Sequence, residues 1–280
     1  MSMLQVKRWF QKSSPAPVRK VYLRTRELNG YFRYGRFFAV KEICNGLLPA
    51  RVYREIYRTM QTVKELDCVE IGGAAGAGSI CAAQGLIDGG HVGKLIVVEK
   101  CEGGSRARYG GKSENLARIE ANFLAFDVDR KIRLYPNPIT MERRDEVLEL
   151  IETAELGALI LDADGRLDRD FQIFWPLLKP GAPIIVDDYK DAPVYCPRSE
   201  TMPDGGIKNV LTYRLLNHFV EAGYFELEKV LDGTAFGRKP QAPQSAVEWS
   251  HAEEIVEGVR REWQDYLTAR GLPLDLKAVQ

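Results

Sequence analysis

Two short apolar runs, residues 157–161 and 182–186, each stop on acid, the first at Asp162-Ala163-Asp164 and the second at Asp187-Asp188. Runs of this length bounded by turn-forming residues read as buried strands. If the strands are parallel, their carboxyl ends open on one edge of a sheet, which is where such folds bind ligands. Four acids gathered there would repel one another unless a cation came between them. A set of donors made only of oxygen suits a hard divalent ion such as Mg2+, which keeps waters or substrate oxygens in its remaining positions. Each Asp taken singly has a plainer role as a helix cap or turn residue. The convergence is what favours the metal.

A second constellation lies upstream. Residues 67–71 read as a strand, and it runs into Gly72, Gly73, Gly76 and Gly78 before Ser79 and an apolar stretch, 80–87, that reads as a helix. Glycines let a backbone turn tightly against a ligand, and a helix amino terminus offers unpaired N–H groups to polar or anionic atoms. A phosphate-binding P-loop needs Lys after Gly78, but the residue is Ser79; a dinucleotide fingerprint fits poorly because Cys81 stands where a small residue belongs. The next strand, 94–98, ends in Glu99. An acid there can hold the ribose hydroxyls of a dinucleotide or of S-adenosylmethionine. A glycine-rich turn without a cofactor is the structural alternative.

Together, Val69, Glu70, Gly72, Gly76, Ser79 and Glu99 resemble the class I S-adenosylmethionine-dependent methyltransferases. Asp162-Ala163-Asp164, the 174–181 segment, Asp187-Asp188-Tyr189 and the 206–210 segment are similar to the macrocin O-methyltransferase-like, metal-dependent sugar O-methyltransferases. The resemblance covers roughly residues 48–239. It implies a doubly wound, Rossmann-like α/β fold with a mostly parallel seven-stranded sheet and a terminal antiparallel hairpin over 225–229 and 233–237. It also implies that Glu70, Gly72, Gly76, Ser79 and Glu99 bind S-adenosylmethionine, and that Asp162, Asp187 and Asp188 hold Mg2+ or another divalent cation. The reaction expected is methyl transfer to a hydroxyl of a sugar or polyhydroxylated small molecule. Relatives often carry His or Lys directly after the Asp-x-Asp unit, whereas this chain has Gly165, so Asp164 becomes the candidate general base. Two rival readings stay open: a metal-dependent nucleotide-sugar glycosyltransferase, and a non-catalytic methyltransferase-like binding module.

The remaining features bound the setting. With 280 residues the chain can bury a sizeable core, and 39 basic against 39 acidic residues leave no net charge to draw a polyanion. Five scattered cysteines without Cys-x-x-Cys spacing indicate neither a zinc cage nor a disulfide scaffold, and a reducing cytoplasm is the default. Residues 1–47 form a basic, aromatic extension or cap; contact with nucleic acid or an anionic membrane surface is conceivable there, and capping of the site or recognition of an acidic substrate more attractive. Residues 240–280 read as a linker and an amphipathic helix opening with a Ser250/Glu253 capping box. Its stripe of Ile255, Val256, Val259, Trp263, Tyr266 and Leu267 is expected to pack on its own domain, with lid formation or a homo-oligomer contact as the alternative.

Overall fold

A computed structural model of the chain describes residue 25 and residues 28–102, 110–191, 205–242 and 249–271. Helices α1 (Arg36–Ile43) and α2 (Ala50–Met60) lead into β1 (Asp67–Ile71), and the chain then alternates. In order come α3 (Ala77–Asp88), β2 (Leu95–Val98), α4 (Lys112–Ala125), β3 (Ile132–Tyr135), α5 (Arg144–Leu148), β4 (Leu156–Leu161), α6 (Leu167–Phe174) and β5 (Pro183–Val186). They are followed by α7 (Gly205–Glu221), β6 (Glu226–Leu231), β7 (Thr234–Arg238) and α8 (Trp249–Ala269). The strands form one seven-stranded sheet in the order β3-β2-β1-β4-β5-β7-β6. All pairs from β3 to β5 are parallel, and β7 enters antiparallel between β5 and β6. The fold is thus the Rossmann-like α/β arrangement with a terminal antiparallel hairpin.

Alternation along the strands splits the core into two layers, because successive side chains point to opposite faces. Val69, Ile71, Leu159, Leu161, Ile184 and Val186 pack with the helices α6 to α8 on one face. Cys68, Ala158, Ile160 and Ile185 face α1 to α4 on the other, where Ile56, Ile80 and Leu86 are fully enclosed. Burial on both faces explains why these strands are continuous apolar runs. Glu70 is the exception: a carboxyl side chain pointing into the α1–α4 layer, 3% exposed.

The strand order reverses at β1, flanked by β2 on one side and β4 on the other, and a crevice opens at such a point. At the opposite, amino-terminal edge, Asp67 is pinned by the backbone N–H groups of Lys94 and Glu152, 2.6 and 2.7 Å away. His91 lies on that same edge, where its Nδ1 accepts the Glu65 N–H. The apolar stripe of α8 is buried through Val256, Val259, Trp263 and Leu267 against the α6–α8 layer, with Ile255 and Tyr266 packed beside it. The helix opens at Trp249, one residue before the expected cap, so Ser250 lies in its first turn. Phe37 of α1 is buried against the opposite layer, whereas Phe32 before it is 88% exposed. Residues 1–24, which carry most of the basic amino-terminal charge, and Cys196 lie outside the described residues; Cys44, Cys68, Cys81 and Cys101 are buried thiols. Among the described residues no helix is long and apolar enough to cross a membrane.

Candidate active site

Parallel register places the acids together. Ile71 pairs with Leu161, and Leu161 with Val186, so the residues that follow, Gly72, Asp162 and Asp187, stand side by side at the carboxyl edge. Each continues the ladder by one hydrogen bond: Asp162 N–H to Ile71 O at 2.8 Å, Asp187 N–H to Leu161 O at 2.9 Å, and Gly72 N–H to Val98 O at 2.9 Å. Asp188 turns into the left-handed region, φ 59°, a conformation Asp tolerates better than most residues. One carboxylate oxygen from each of Asp162, Asp187 and Asp188 lies within 4.8 Å of the others. Thr234, opening β7 opposite β5, donates its hydroxyl to Asp187 Oδ1 at 2.6 Å.

Lys208, from the first turns of α7, enters this cluster. Its Nζ lies 3.0 Å from Asp162 Oδ1 and 2.8 Å from Asp188 Oδ2. Burial pushes the Asp162 carboxyl up to about 7 despite the nearby ammonium, and the neighbouring Asp187 and Asp188 push the same way. Asp187 is raised by burial and by Asp188. Burial opposes the charge on Lys208, yet Asp162 and Asp188 more than reverse this and raise its pKa. The trio offers oxygen donors only, within reach of one centre, and such donors fit a hard divalent cation.

Asp164 points elsewhere. Its carboxylate takes a two-pronged ion pair from Arg169, at 2.9 and 3.0 Å, and accepts the Arg166 N–H at 3.1 Å, as in an Asx turn. Burial would raise its pKa, but the charge and hydrogen bonds of Arg169 hold it down to about 2. A carboxylate so weakly basic has little driving force to take a proton at neutral pH. Arg169 is shared with Asp170, 2.8 Å away.

The glycine loop separates two crevices that meet at Gly72. The first runs from Glu70 past Gly72 to Asp162, Asp187 and Thr234, and its far wall includes Leu47, Leu48, Tyr53 and Ile56. The second lies between Glu99, Asn137, Ile139 and Asp164. Gly72 has φ 96°, and a Cβ there would stand 2.0 Å from the Asp162 carbonyl oxygen, so only glycine lets the two loops touch. A Cβ at Gly78 would fall 2.7 Å from Glu70 Oε1, which is why a small residue opens α3 there. Glu70 Oε2 is buried without a hydrogen-bond partner among the described residues, and burial pushes its pKa up to about 8. Ser79 is buried beside it. Glu99 accepts the Ala74 N–H at 2.6 Å and the Cys101 N–H at 2.8 Å, tying the glycine loop to the end of β2. An unsatisfied buried acid beside a glycine-lined helix terminus fits a ligand with an ammonium or hydroxyl group.

Residues 69–189, which contain Glu70, the glycine loop, Glu99, Asp162, Asp164, Arg169, Asp187 and Asp188, match the family model described as a methyltransferase domain. This segment thus resembles a methyltransferase domain. Solved structures share the fold at low identity. Cofactor-bound Rv0187 from MTB is 16% identical over 82% of this chain and 100% of its own, with TM-score 0.53. The O-methyltransferase from Bacillus cereus, solved with SAH, is 13% identical over 72% and 90% of the two chains, TM-score 0.51. The O-methyltransferase TomG from Streptomyces achromogenes, solved with SAM, is 16% identical over 69% and 82%, TM-score 0.50. No curated protein matches at a significant level. The match covers Glu70, the glycine loop and Glu99, to which the glycosyltransferase alternative gives no role.

Of the residues expected from the sequence to serve the site, Glu70, Gly72 and Gly76 line or build the loop, and Asp162, Asp187 and Asp188 meet beyond it. Glu99 is on the far side of Gly72, engaged with loop N–H groups. Sequence reasoning assigned no role to Lys208, Thr234 or Arg169. Lys208 had a weak signal, its place in the 206–210 segment, but nothing in a helical Lys tells which acid it reaches. Residues 103–109, between β2 and α4, lie outside the described residues.

Proposed function

We propose that this protein transfers a methyl group from S-adenosylmethionine to a hydroxyl of a sugar or polyhydroxylated small molecule, with a divalent cation held by Asp162, Asp187 and Asp188. The observation that carries the reading is the meeting of these three carboxylates at the carboxyl edge, one residue from the glycine loop in the neighbouring strand. Two solved structures of the same fold, from Bacillus cereus and Streptomyces achromogenes, are O-methyltransferases, which supports oxygen as the acceptor atom.

The residues divide the work. Glu70 and the N–H groups of the loop from Gly72 to Ser79 receive the methionine end of the cofactor, and Glu99 its ribose hydroxyls. Asp162, Asp187 and Asp188 orient the acceptor against the donor, and Thr234 fixes the rotamer of Asp187. A divalent ion supplies Lewis acidity when bound, lowering the pKa of the acceptor hydroxyl. The wall of Leu47, Leu48, Tyr53 and Ile56 excludes water and offers Tyr53 as an apolar platform for the body of the acceptor. Positioning of this kind supplies much of a methyl-transfer barrier reduction. Asp164, bound to Arg169, orients the turn after β4, and the proton leaves to water or to another group in the crevice.

The decisive experiment follows transfer of labelled methyl from S-adenosylmethionine to a panel of hydroxylated acceptors, with Mg2+ and with EDTA. Transfer that stops in EDTA and returns with Mg2+ is the expected result. Undiminished transfer in EDTA removes the metal, and absence of S-adenosylmethionine binding in a calorimetric titration removes the whole reading in favour of a non-catalytic module.

A further inference from the structure

Lys208 reaches two of the three acids that would hold a divalent ion. Its Nζ is 3.0 Å from Asp162 Oδ1 and 2.8 Å from Asp188 Oδ2, and the donor oxygens of the trio lie within 4.8 Å of one another. A Mg2+ ion sits about 2.0–2.1 Å from each oxygen it binds, so its centre falls among these same oxygens. The ammonium is brought there by backbone packing: Gly165 has φ 84°, and a Cβ on it would stand 2.8 Å from the Lys208 carbonyl oxygen. The first turns of α7 therefore lie directly against the turn after β4. From that position the lysine stem spans to two acids on two different strands. Its side chain is 23% exposed, and the Asp188 side chain it meets is 6% exposed, so this is an enclosed contact and not a surface pair.

We propose that Lys208 is an internal competitor for the metal: its ammonium neutralises Asp162 and Asp188 when no ion is bound, and it has to withdraw when a divalent ion enters. The proposal rests on the metal reading above. Metal binding is then an exchange of one cation for another, and the affinity measured is the difference between the two. Removing the ammonium takes away the competitor and leaves a more negative cluster. Affinity for the ion rises by about tenfold or more, since unit charges this close interact strongly at protein dielectrics.

The test is a calorimetric titration of chelator-treated full-length protein with MgCl2, comparing wild type with Lys208→Met, Lys208→Gln and Lys208→Arg. The neutral variants are expected to bind Mg2+ about tenfold or more tightly than wild type, and the Arg variant no more tightly. Their melting temperature is expected to rise further on adding Mg2+ than that of wild type. Circular dichroism identifies which neutral variant is folded, and either one suffices. Unchanged or weaker Mg2+ binding in a folded neutral variant, with wild type binding normally, overturns the competitor and leaves the metal reading standing. Binding by the neutral variant alone upholds the competitor and removes the metal from the reaction of the wild-type protein. No binding by any form, with full methyl transfer in EDTA, overturns both.

Discussion

Asp67 and Asp162 occupy opposite ends of neighbouring strands, and the contrast between them separates architecture from function. Asp67 at the amino edge accepts two backbone N–H groups, from Lys94 and Glu152, and has no like charge among those partners. Asp162 at the carboxyl edge meets Asp187 and Asp188 and is compensated by the Lys208 ammonium. One carboxylate ties the loops between strands; the other is held in a cluster of three acids that repel one another. Buried like charges persist where a ligand is to be bound, because stability alone would select against them.

The largest effect expected is on function, at the carboxyl edge. Asp187→Asn is predicted to lose Mg2+ binding and to lower turnover by about a hundredfold or more, the scale of a lost metal contribution. Its melting temperature in EDTA should stay level or rise, because one of three crowded charges is gone. A variant that melts much lower would make Asp187 a structural residue like Asp67 and break the comparison.

At the amino edge the order reverses. Asp67→Ala leaves two buried N–H groups without their acceptor and should cost about 2–4 kcal/mol in urea unfolding. Mg2+ affinity of the folded fraction should be unchanged. Loss of metal binding without loss of stability would overturn the division.

Glu70 sharpens the comparison through pH. Its carboxyl goes from an ordinary 4.5 to about 8 on folding, so between those values the folded state holds an extra proton and stability falls as pH rises. Thermal melts of the cofactor-free protein from pH 5 to pH 9 should show Glu70→Gln losing less stability than wild type over that window. Parallel profiles would mean that Glu70 is ionised and already paired. The smallest effect is expected at Asp164. Asp164→Asn should lower turnover by less than the roughly hundredfold that marks loss of a general base. A larger loss, rescued by raising the pH, would restore the base assignment that the sequence suggested.

The strands and their order of acids were legible because periodicity and stop residues are local signals. Residues 67–71 and 132–135 coincide with β1 and β3, and β2, β4 and β5 differ from the expected runs by a single residue at their starts. The glycine loop and the three metal-site acids followed from strand ends in a parallel sheet. The ion pairs were not legible, since they depend on which side chains α6 and α7 bring across the edge. Asp164 and Asp162 are two residues apart and similar in sequence context, yet Arg169 claims one and Lys208 the other. Nor does a Thr at the start of a hairpin strand disclose that it will donate to Asp187. Glu99 was placed at the right strand end, but its bonds to Ala74 and Cys101 depend on the left-handed turn at Ala74, φ 47°, which composition does not announce.

Gly165 sets a limit on how this domain can be altered. The family resemblance, which implies His or Lys at that position, suggests an obvious transplant, the replacement of one residue to import a proton acceptor. Here the left-handed backbone and the α7 carbonyl close behind it leave that graft no room. The turn after β4 and the first turns of α7 lie in contact, so a lineage or an engineer reshaping that turn has to move α7 with it.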